Sequence, residues 1–319
     1  MEPISVPISK HERPVKQSYI KMLLQNIKRH PVVYLLALPI ILYFIVFRYI
    51  PIFGVIIAFQ DFRPGLGFLN SPWVGLSHFI SFFESPFAFR VIRNTFVINI
   101  YQIAFGFPAP ILLALLLNEV RHSKFKRTVQ TMSYLPFFIA LVVMCGILLD
   151  FSSSRGLFND IRYFFGFERI NLLRDNRYYR FLYVASDIWQ FLGWWSIIYM
   201  ATLSSVDVSL YEAAVIDGAN RFKQAIYVTL PALTPIIIIQ LIMRLGFIMS
   251  EGAEKTLLLY NPLVYETGDI ISSFVFRRGL QEMDYSFGMA VSVFNSMINL
   301  IMLFAANWFA RRHLQESLW

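Results

Sequence analysis

Charge is scarce in this chain. Of its 319 residues only 15% are Asp, Glu, Lys or Arg, where an average soluble domain has about 25%. Residues from the set AVILMFWYC make up 57%. A water-soluble globule with a charged surface is excluded. The net charge of +8 would suit a nucleic-acid binder, but long uncharged apolar runs cannot form a solvated phosphate-binding face. Cysteine is nearly absent: the single Cys145 rules out an internal disulfide framework and a Cys-based metal site, and reads as a small buried hydrophobe. The five histidines, at positions 11, 30, 78, 122 and 313, fall in separate segments without ligand spacing, so no metal is expected. No Gly-Lys dipeptide occurs. The chain therefore lacks a phosphate loop of the G-x-x-x-x-G-K-[ST] type and is expected to carry neither ATP nor Mg itself. No convergent His/Asp/Glu or Ser/Lys cluster marks an enzyme.

What the sequence has in abundance is apolar runs. A helix needs roughly 20 apolar residues to cross the hydrocarbon core, and six segments qualify: about 31–59, 94–118, 128–149, 181–203, 231–250 and 286–310. The first is interrupted by Arg48-Tyr49-Ile50-Pro51 and reads as one long helix bent near Pro51, since proline removes a ladder N–H. Thirty mostly polar residues precede it, so it is not expected to be a cleaved signal segment. Asp187 is the one acid inside a predicted span, and no acid is expected at the depth of Arg244. A carrier driven by protons or sodium would be expected to bury more carboxylates. These features predict an all-α membrane protein with six transmembrane helices.

Lys and Arg residues set the orientation. The tail 1–30, the 119–127 loop and Arg311-Arg312 are basic, and seven of the eight lysines fall on the side that holds them. That side is expected to be cytoplasmic, with the tails 1–30 and 311–319 both inside. On the opposite side, residues 75–83 have apolar residues at helical spacing and are expected to lie flat at the interface.

The connection 204–230 reads as ordered structure. Ser209-Leu-Tyr-Glu212 predicts a capping box ahead of a helix over 209–217, Asp217-Gly218 predicts its stop, and Asn220 can cap a second helix over Arg221–Thr229. Small Ala213, Ala214 and Gly218 leave room for another surface. For the pathway through the membrane, polar stripes at helical spacing are the candidates: Gln190 with Trp194, Gln240 with Arg244, Asn295 with Asn299, and Asn99 with Gln102. Such amides can equally hold helices together by interhelical hydrogen bonds. Arg244 needs an acid on another chain, helix-end carbonyls or an anionic ligand. Arg48, Arg90, Arg93, Arg277 and Arg278 near span ends could draw in such a ligand, contact a binding protein or anchor the helices in lipid.

Glu212-Ala-Ala214, Gly218 and Val228-x-Leu230-Pro231 resemble the EAA motif of ABC importer permeases, with Val where that motif has Ile. Tyr49-Ile-Pro51, Ser71-Pro-Trp-Val-Gly75, Phe107-Pro-Ala-Pro110, Asn261-Pro-Leu-Val-Tyr-Glu266 and Asp284-Tyr-Ser-Phe287 extend the likeness over nearly the whole chain, to carbohydrate permeases of the lipoprotein-associated polysaccharide group, relatives of the maltose importer's larger permease. The resemblance implies a type I importer permease in a bacterial cytoplasmic membrane, moving oligosaccharides, possibly uronate-containing ones. It implies that Glu212, Ala213, Ala214, Asp217, Gly218, Leu230 and Pro231 couple to an ATPase. The implied partners are a second permease, an ATPase dimer that holds ATP and Mg, and an extracytoplasmic solute-binding protein. A large inserted extracytoplasmic domain, present in the maltose relative, is missing here. The alternative is a self-sufficient secondary transporter or channel.

Overall fold

The computed structural model describes residues 26–250 and 252–313. Among these residues the fold is helical, with one isolated bridge between Gln60 and Trp73. Two compact units divide the chain, Met1–Val55 and Ile56–Trp319. In the first unit, α1 (Pro31–Phe44) runs into a widened π turn over Ile45–Tyr49 and continues helical past Pro51. Its apolar side chains are exposed along its length.

The second unit begins with α2 (Ser77–Glu84). Its one fully buried side chain, Phe82, packs against Phe274, Phe287 and Phe294, with Phe83 also on Phe294. The segment expected to lie flat is thus docked by one edge on the protein, because Phe79, Phe82 and Phe83 make that edge apolar and aromatic enough to pack. Then come α3 (Ala88–Tyr101), α4 (Pro108–Glu119), α5 (Ser123–Tyr134), α6 (Leu141–Ser152), α7 (Leu157–Phe164), α8 (Asn176–Ser204), α9 (Val208–Ile216), α10 (Arg221–Gln224), α11 (Leu230–Gly246), α12 (Ala253–Leu259), α13 (Ile271–Val275) and α14 (Tyr285–His313).

Five helical runs are long and apolar enough to cross a bilayer: Pro31–Phe59, Ala88–Glu119, Leu141–Phe164, Arg221–Gly246 and Tyr285–His313. The 29-residue α8 is long enough, at about 43 Å, but carries more polar side chains, Arg177, Arg180, Asp187 and Gln190 among them. It is the helix around which the site is built.

Three of these runs handle proline in the same way. The residue before each proline donates its N–H five residues back instead of four: Ile50 to Ile45, Phe107 to Gln102 and Leu230 to Ala225. Proline has no N–H to give and its ring crowds the carbonyl four residues back. One π turn ahead of Pro51, Pro108 and Pro231 absorbs the defect and keeps the helix running. The second helix expected over Arg221–Thr229 therefore does not end before Leu230-Pro231 but joins α11.

The segment 128–149 departs from the sequence expectation. It is not one span: α5 tightens into a 3-10 turn over Leu135–Phe138, the chain extends at Ile139 and Ala140, and α6 begins at Leu141. Pro136 cannot continue the ladder. The amide of Gln190 on α8 donates to the Ile139 carbonyl at 2.9 Å, serving a backbone group that the break exposes. Gly193 makes the approach possible, since a Cβ there would lie 2.1 Å from the Ser133 carbonyl oxygen.

Below the N-terminal half of α8, the buried rings of Tyr179 and Tyr183 pack with Leu172, Leu173, Leu259, Val264 and Ile270. Asp269, fully buried, accepts from Arg277 at 2.8 Å and Arg90 at 3.3 Å, while Arg93 pairs with Glu266 and Arg278 with Glu282. These arginines, which the sequence leaves open to substrate, binding protein or lipid, are engaged with acids of their own chain and fasten the 260–284 segment.

Candidate substrate pathway and coupling loop

Along α8, Arg177, Phe181, Val184, Ile188, Phe191, Trp195 and Tyr199 recur three or four residues apart, so they share one face. Each lines one of three cavities. The first, of about 450 Å³, lies toward the N-terminal end of α8 and adds Tyr101, Phe105 and Arg180. A central one of about 340 Å³ adds Gln102, Asp187, Arg244, Glu254 and Lys255. The third, of about 260 Å³, adds Phe107, Gln240, Met243 and Phe247. Val184 and Ile188 belong to both the first and the central cavity; Gly106, Pro110, Trp195 and Arg244 belong to both the central and the third. The stripe covers about 33 Å of helix, enough to traverse a hydrocarbon core of about 30 Å.

A polar relay surrounds the central cavity. The buried Lys255 ammonium donates to the Tyr183 carbonyl (2.7 Å), Ser186 Oγ (2.9 Å) and Asp187 Oδ1 (2.6 Å). Asp187 Oδ2 accepts from the Gln102 amide at 2.5 Å, and Gln102 Oε1 accepts from Arg244 at 3.4 Å. One carboxylate on α8 thereby ties α12 and the π turn after α3. The expectation that no acid lies near Arg244 is corrected: Asp187 lines the same cavity and is one amide away. Glu254 lines it as well. The relay was hidden because Lys255 is placed by α12, which follows a predicted span and turns back inside through Gly252. That glycine holds a left-handed φ of +82° and meets the Tyr183 hydroxyl, a conformation and a closeness that only glycine allows.

Of the pathway candidates, the structure brings together Gln240 and Arg244, with Gln102 beside them. Gln190 and Trp194 lie one residue out of phase with the cavity stripe. Gln190 serves Ile139, and Trp194 stacks on Phe137 at 3.8 Å between ring centres. The cavity-facing pair at the corresponding depth is Phe191 with Trp195, which a search for polar side chains passes over. Asn295 donates to the Met249 carbonyl, while Asn299 accepts from the Met249 N–H and donates to Ser250. Both asparagines hold α14 to the end of α11. Asn99 bonds back to Thr95 within α3.

At the other end of α8, the 204–230 loop is ordered. The helix α9 is capped by Asp207, which accepts from the Ser209 N–H at 2.9 Å. The expected Ser209–Glu212 capping box does not form, because Asp207 already supplies an acceptor ahead of the helix and moves its start to Val208. The hydrogen bond to Ser209 holds the Asp207 carboxyl below its ordinary value of 3.8. Gly218 ends the turn with φ +75°, and Asn220 caps α10 through the Lys223 N–H. Ala213, Ala214, Glu212, Asp217 and Gly218 thus sit on a capped, two-helix loop whose Leu210, Val215, Ile216 and Phe222 are exposed. Leu230 and Pro231 lie at the π turn that joins this loop to α11.

Residues 106–315 match the family model of the binding-protein-dependent transport system inner membrane component. The chain is 40% identical over 305 residues to the polygalacturonan/rhamnogalacturonan transport system permease protein YteP of Bacillus subtilis, covering 95% of each. It is also 40% identical over 293 residues to Protein LplB of Bacillus subtilis, covering 92% of each. Among solved structures it is similar to a chain of a bacterial ABC transporter involved in the import of the acidic polysaccharide alginate. There the identity is 38% and the TM-score 0.86, over 92% of this chain and 99% of that one. A structure of a bacterial alginate ABC transporter in complex with an alginate pentasaccharide-bound periplasmic protein gives 37% identity and the same TM-score of 0.86, over 93% and 99%.

Proposed function

The chain belongs to the inner membrane components of binding-protein-dependent transport systems, and from that premise we propose that it is the permease subunit of an ABC importer for acidic oligosaccharides. Family membership displaces the alternative of a self-sufficient carrier or channel. The observation that carries the substrate reading is the cavity stripe of α8. It offers flat aromatic faces, Phe191 and Trp195, beside a guanidinium, Arg244. Sugar rings need such faces and carboxylates need such a cation. The polygalacturonan/rhamnogalacturonan permease and the alginate transporter to which the chain is similar support the same class.

In this reading both termini and the 204–230 loop lie in the cytoplasm, and α8 is the sixth span. A second permease of the same family completes the pathway opposite the cavity-lining stripe. A cytoplasmic ATPase dimer holds ATP and Mg and docks on α9; Ala213 and Ala214 allow close approach, and the exposed apolar side chains fill its groove. Closure of the ATPases pushes on α9 and α10. The push passes into α11 without a break, because the π turn before Pro231 keeps that helix continuous, and α11 carries Gln240 and Arg244 at the cavity. The spans then rock between outward and inward openings, and a loaded extracytoplasmic binding protein delivers the sugar. The chain forms and breaks no covalent bond.

The test is ATP-driven uptake of oligogalacturonate into proteoliposomes that contain the permease pair, ATPases and binding protein. Arg244→Gln is expected to abolish uptake of the acidic sugar while the complex still co-purifies. Unchanged uptake would overturn the role given to Arg244, and loss of the complex would make Arg244 a structural ion-pair residue instead.

A further inference from the structure

The cavity at the N-terminal end of α8 has a different chemistry from the central one. Its walls are the exposed rings of Tyr101, Phe105 and Phe181, with Val184, Ala185 and Ile188 below and Asn176, Arg177 and Arg180 at the rim. The charges nearby are mostly cancelled: Arg177 pairs with Asp175 at 2.7 Å and Arg93 with Glu266 at 2.6 Å. Arg180 is the exception. Its Nε donates to the Thr267 carbonyl at 3.1 Å and its Nη2 to Asn94 Oδ1 at 2.7 Å. Both acceptors are neutral, so the guanidinium is held rigid without an ion pair of its own; the acid that acts on it, Glu266, is already engaged by Arg93. Asn94, fully buried, is itself fixed by bonds to the carbonyls of Tyr265 and Asp269.

A half-buried, oriented cation that makes no ion pair of its own and lines one cavity with three aromatic side chains fits one ligand type: a flat ring that carries a carboxylate. We propose that this cavity is an entrance subsite that takes one uronate residue of the oligosaccharide, with Arg180 on the carboxylate and Tyr101, Phe105 and Phe181 against the ring. The proposal rests on the acidic-oligosaccharide reading above. What ties the cavity to the pathway is that Val184 and Ile188 line it and the central cavity alike, so a sugar seated here is already in line with Arg244. An anionic lipid could offer a negative headgroup to the same arginine, but the cavity shares Val184 and Ile188 with the central one and is lined by three aromatic rings that an acyl chain does not need.

The experiment compares uptake of oligogalacturonate into proteoliposomes containing the complete complex, for the wild type, Arg180→Gln, Arg180→Lys and Phe181→Ala. Arg180→Gln is expected to raise the KM for the acidic sugar about tenfold, the effect of one charge-assisted hydrogen bond, and Arg180→Lys to recover part of it. Phe181→Ala, at an exposed position outside the packed core, is expected to raise KM several-fold with the complex intact, which keeps the test valid should the Arg180 variants misassemble. An unchanged KM in both Arg180→Gln and Phe181→Ala would overturn the subsite while leaving the acidic-substrate reading in place. Loss of a co-purifying anionic lipid from Arg180→Gln with an unchanged KM would also overturn it, in favour of lipid. Failure of the wild type to take up the acidic sugar would overturn both.

Discussion

Lys255 and Asp187 meet at 2.6 Å although they come from different helices and Lys255 is only 3% exposed. All three ammonium hydrogens are used, and both carboxylate oxygens are engaged. Removing one partner leaves an uncompensated buried charge, which costs about 3–5 kcal/mol. Lys255→Met is therefore expected to lower the thermal unfolding temperature of the purified permease markedly, and Lys255→Met/Asp187→Leu to restore most of the loss. A double variant as unstable as the single one would show that the pair does more than neutralise itself.

The contact between Gly193 and the Ser133 carbonyl sets how closely α8 can lie on the broken third span. Gly193→Ala places a methyl 2.1 Å from a backbone oxygen, where no side chain can swing away. The helices must separate, at a cost of about 1–3 kcal/mol or more. Gly146→Ala, with open space around its Cβ, is the matched control, expected to keep the wild-type unfolding temperature. Equal behaviour of the two would refute the close approach.

Gly218 differs in kind: nothing crowds its Cβ, and the demand is for φ +75°. Substitution there strains the turn between α9 and α10 by about 1–2 kcal/mol. Gly218→Val should leave the protein in the membrane while reducing transport-coupled ATP hydrolysis, and Gly218→Asn should be milder, because Asn tolerates the left-handed region. Gly218→Val with wild-type coupling would contradict the role of the loop.

The cap on α9 gives a pH dependence with a defined sign. The Asp207 carboxyl is held below 3.8 in the folded chain. Its contribution is thus fully present above the unfolded value and is lost as pH falls through the lower, folded one. Amide protection over the first turn of α9 is expected to stay level from neutral pH down to about pH 5 and to fall only in strong acid. Asp207→Asn, which keeps an acceptor, should remove that acid transition while keeping the turn ordered; Asp207→Ala should loosen it at every pH. A transition near neutral pH would contradict the assignment of the cap.

Much of this was legible in the residues. Long uncharged runs gave the helices, and Gly218 and Asn220 announced the turn and cap of the 204–230 loop, since Gly218 acts through its own backbone and Asn220 through a side chain that caps only three residues on. Asp207 was missed as the cap because Ser209-x-x-Glu212 offers a competing signal two residues on. Gln190 and Trp194 were chosen on polarity and lie one residue from the stripe that lines the cavities. A helix turns about 100° per residue, and only packing against Ile139 and Phe137 decides which face is which. Pro136 stood in plain view inside a predicted span, yet a break there needs Gln190 on a distant helix to satisfy the carbonyl. Lys255 was visible as the one lysine on the side opposite the other seven. Its burial depends on α12 turning inward, a tertiary fact with no local signature.

The central claim is that this chain is one permease of a multi-subunit ATP-driven importer. Purification of the tagged protein from its native membranes in mild detergent, followed by mass spectrometry of the associated chains, tests it directly. The account predicts recovery of a phosphate-loop ATPase and a second permease bearing the EAA motif. A clean monomer or homodimer, under conditions that preserve known complexes of this kind, would contradict it.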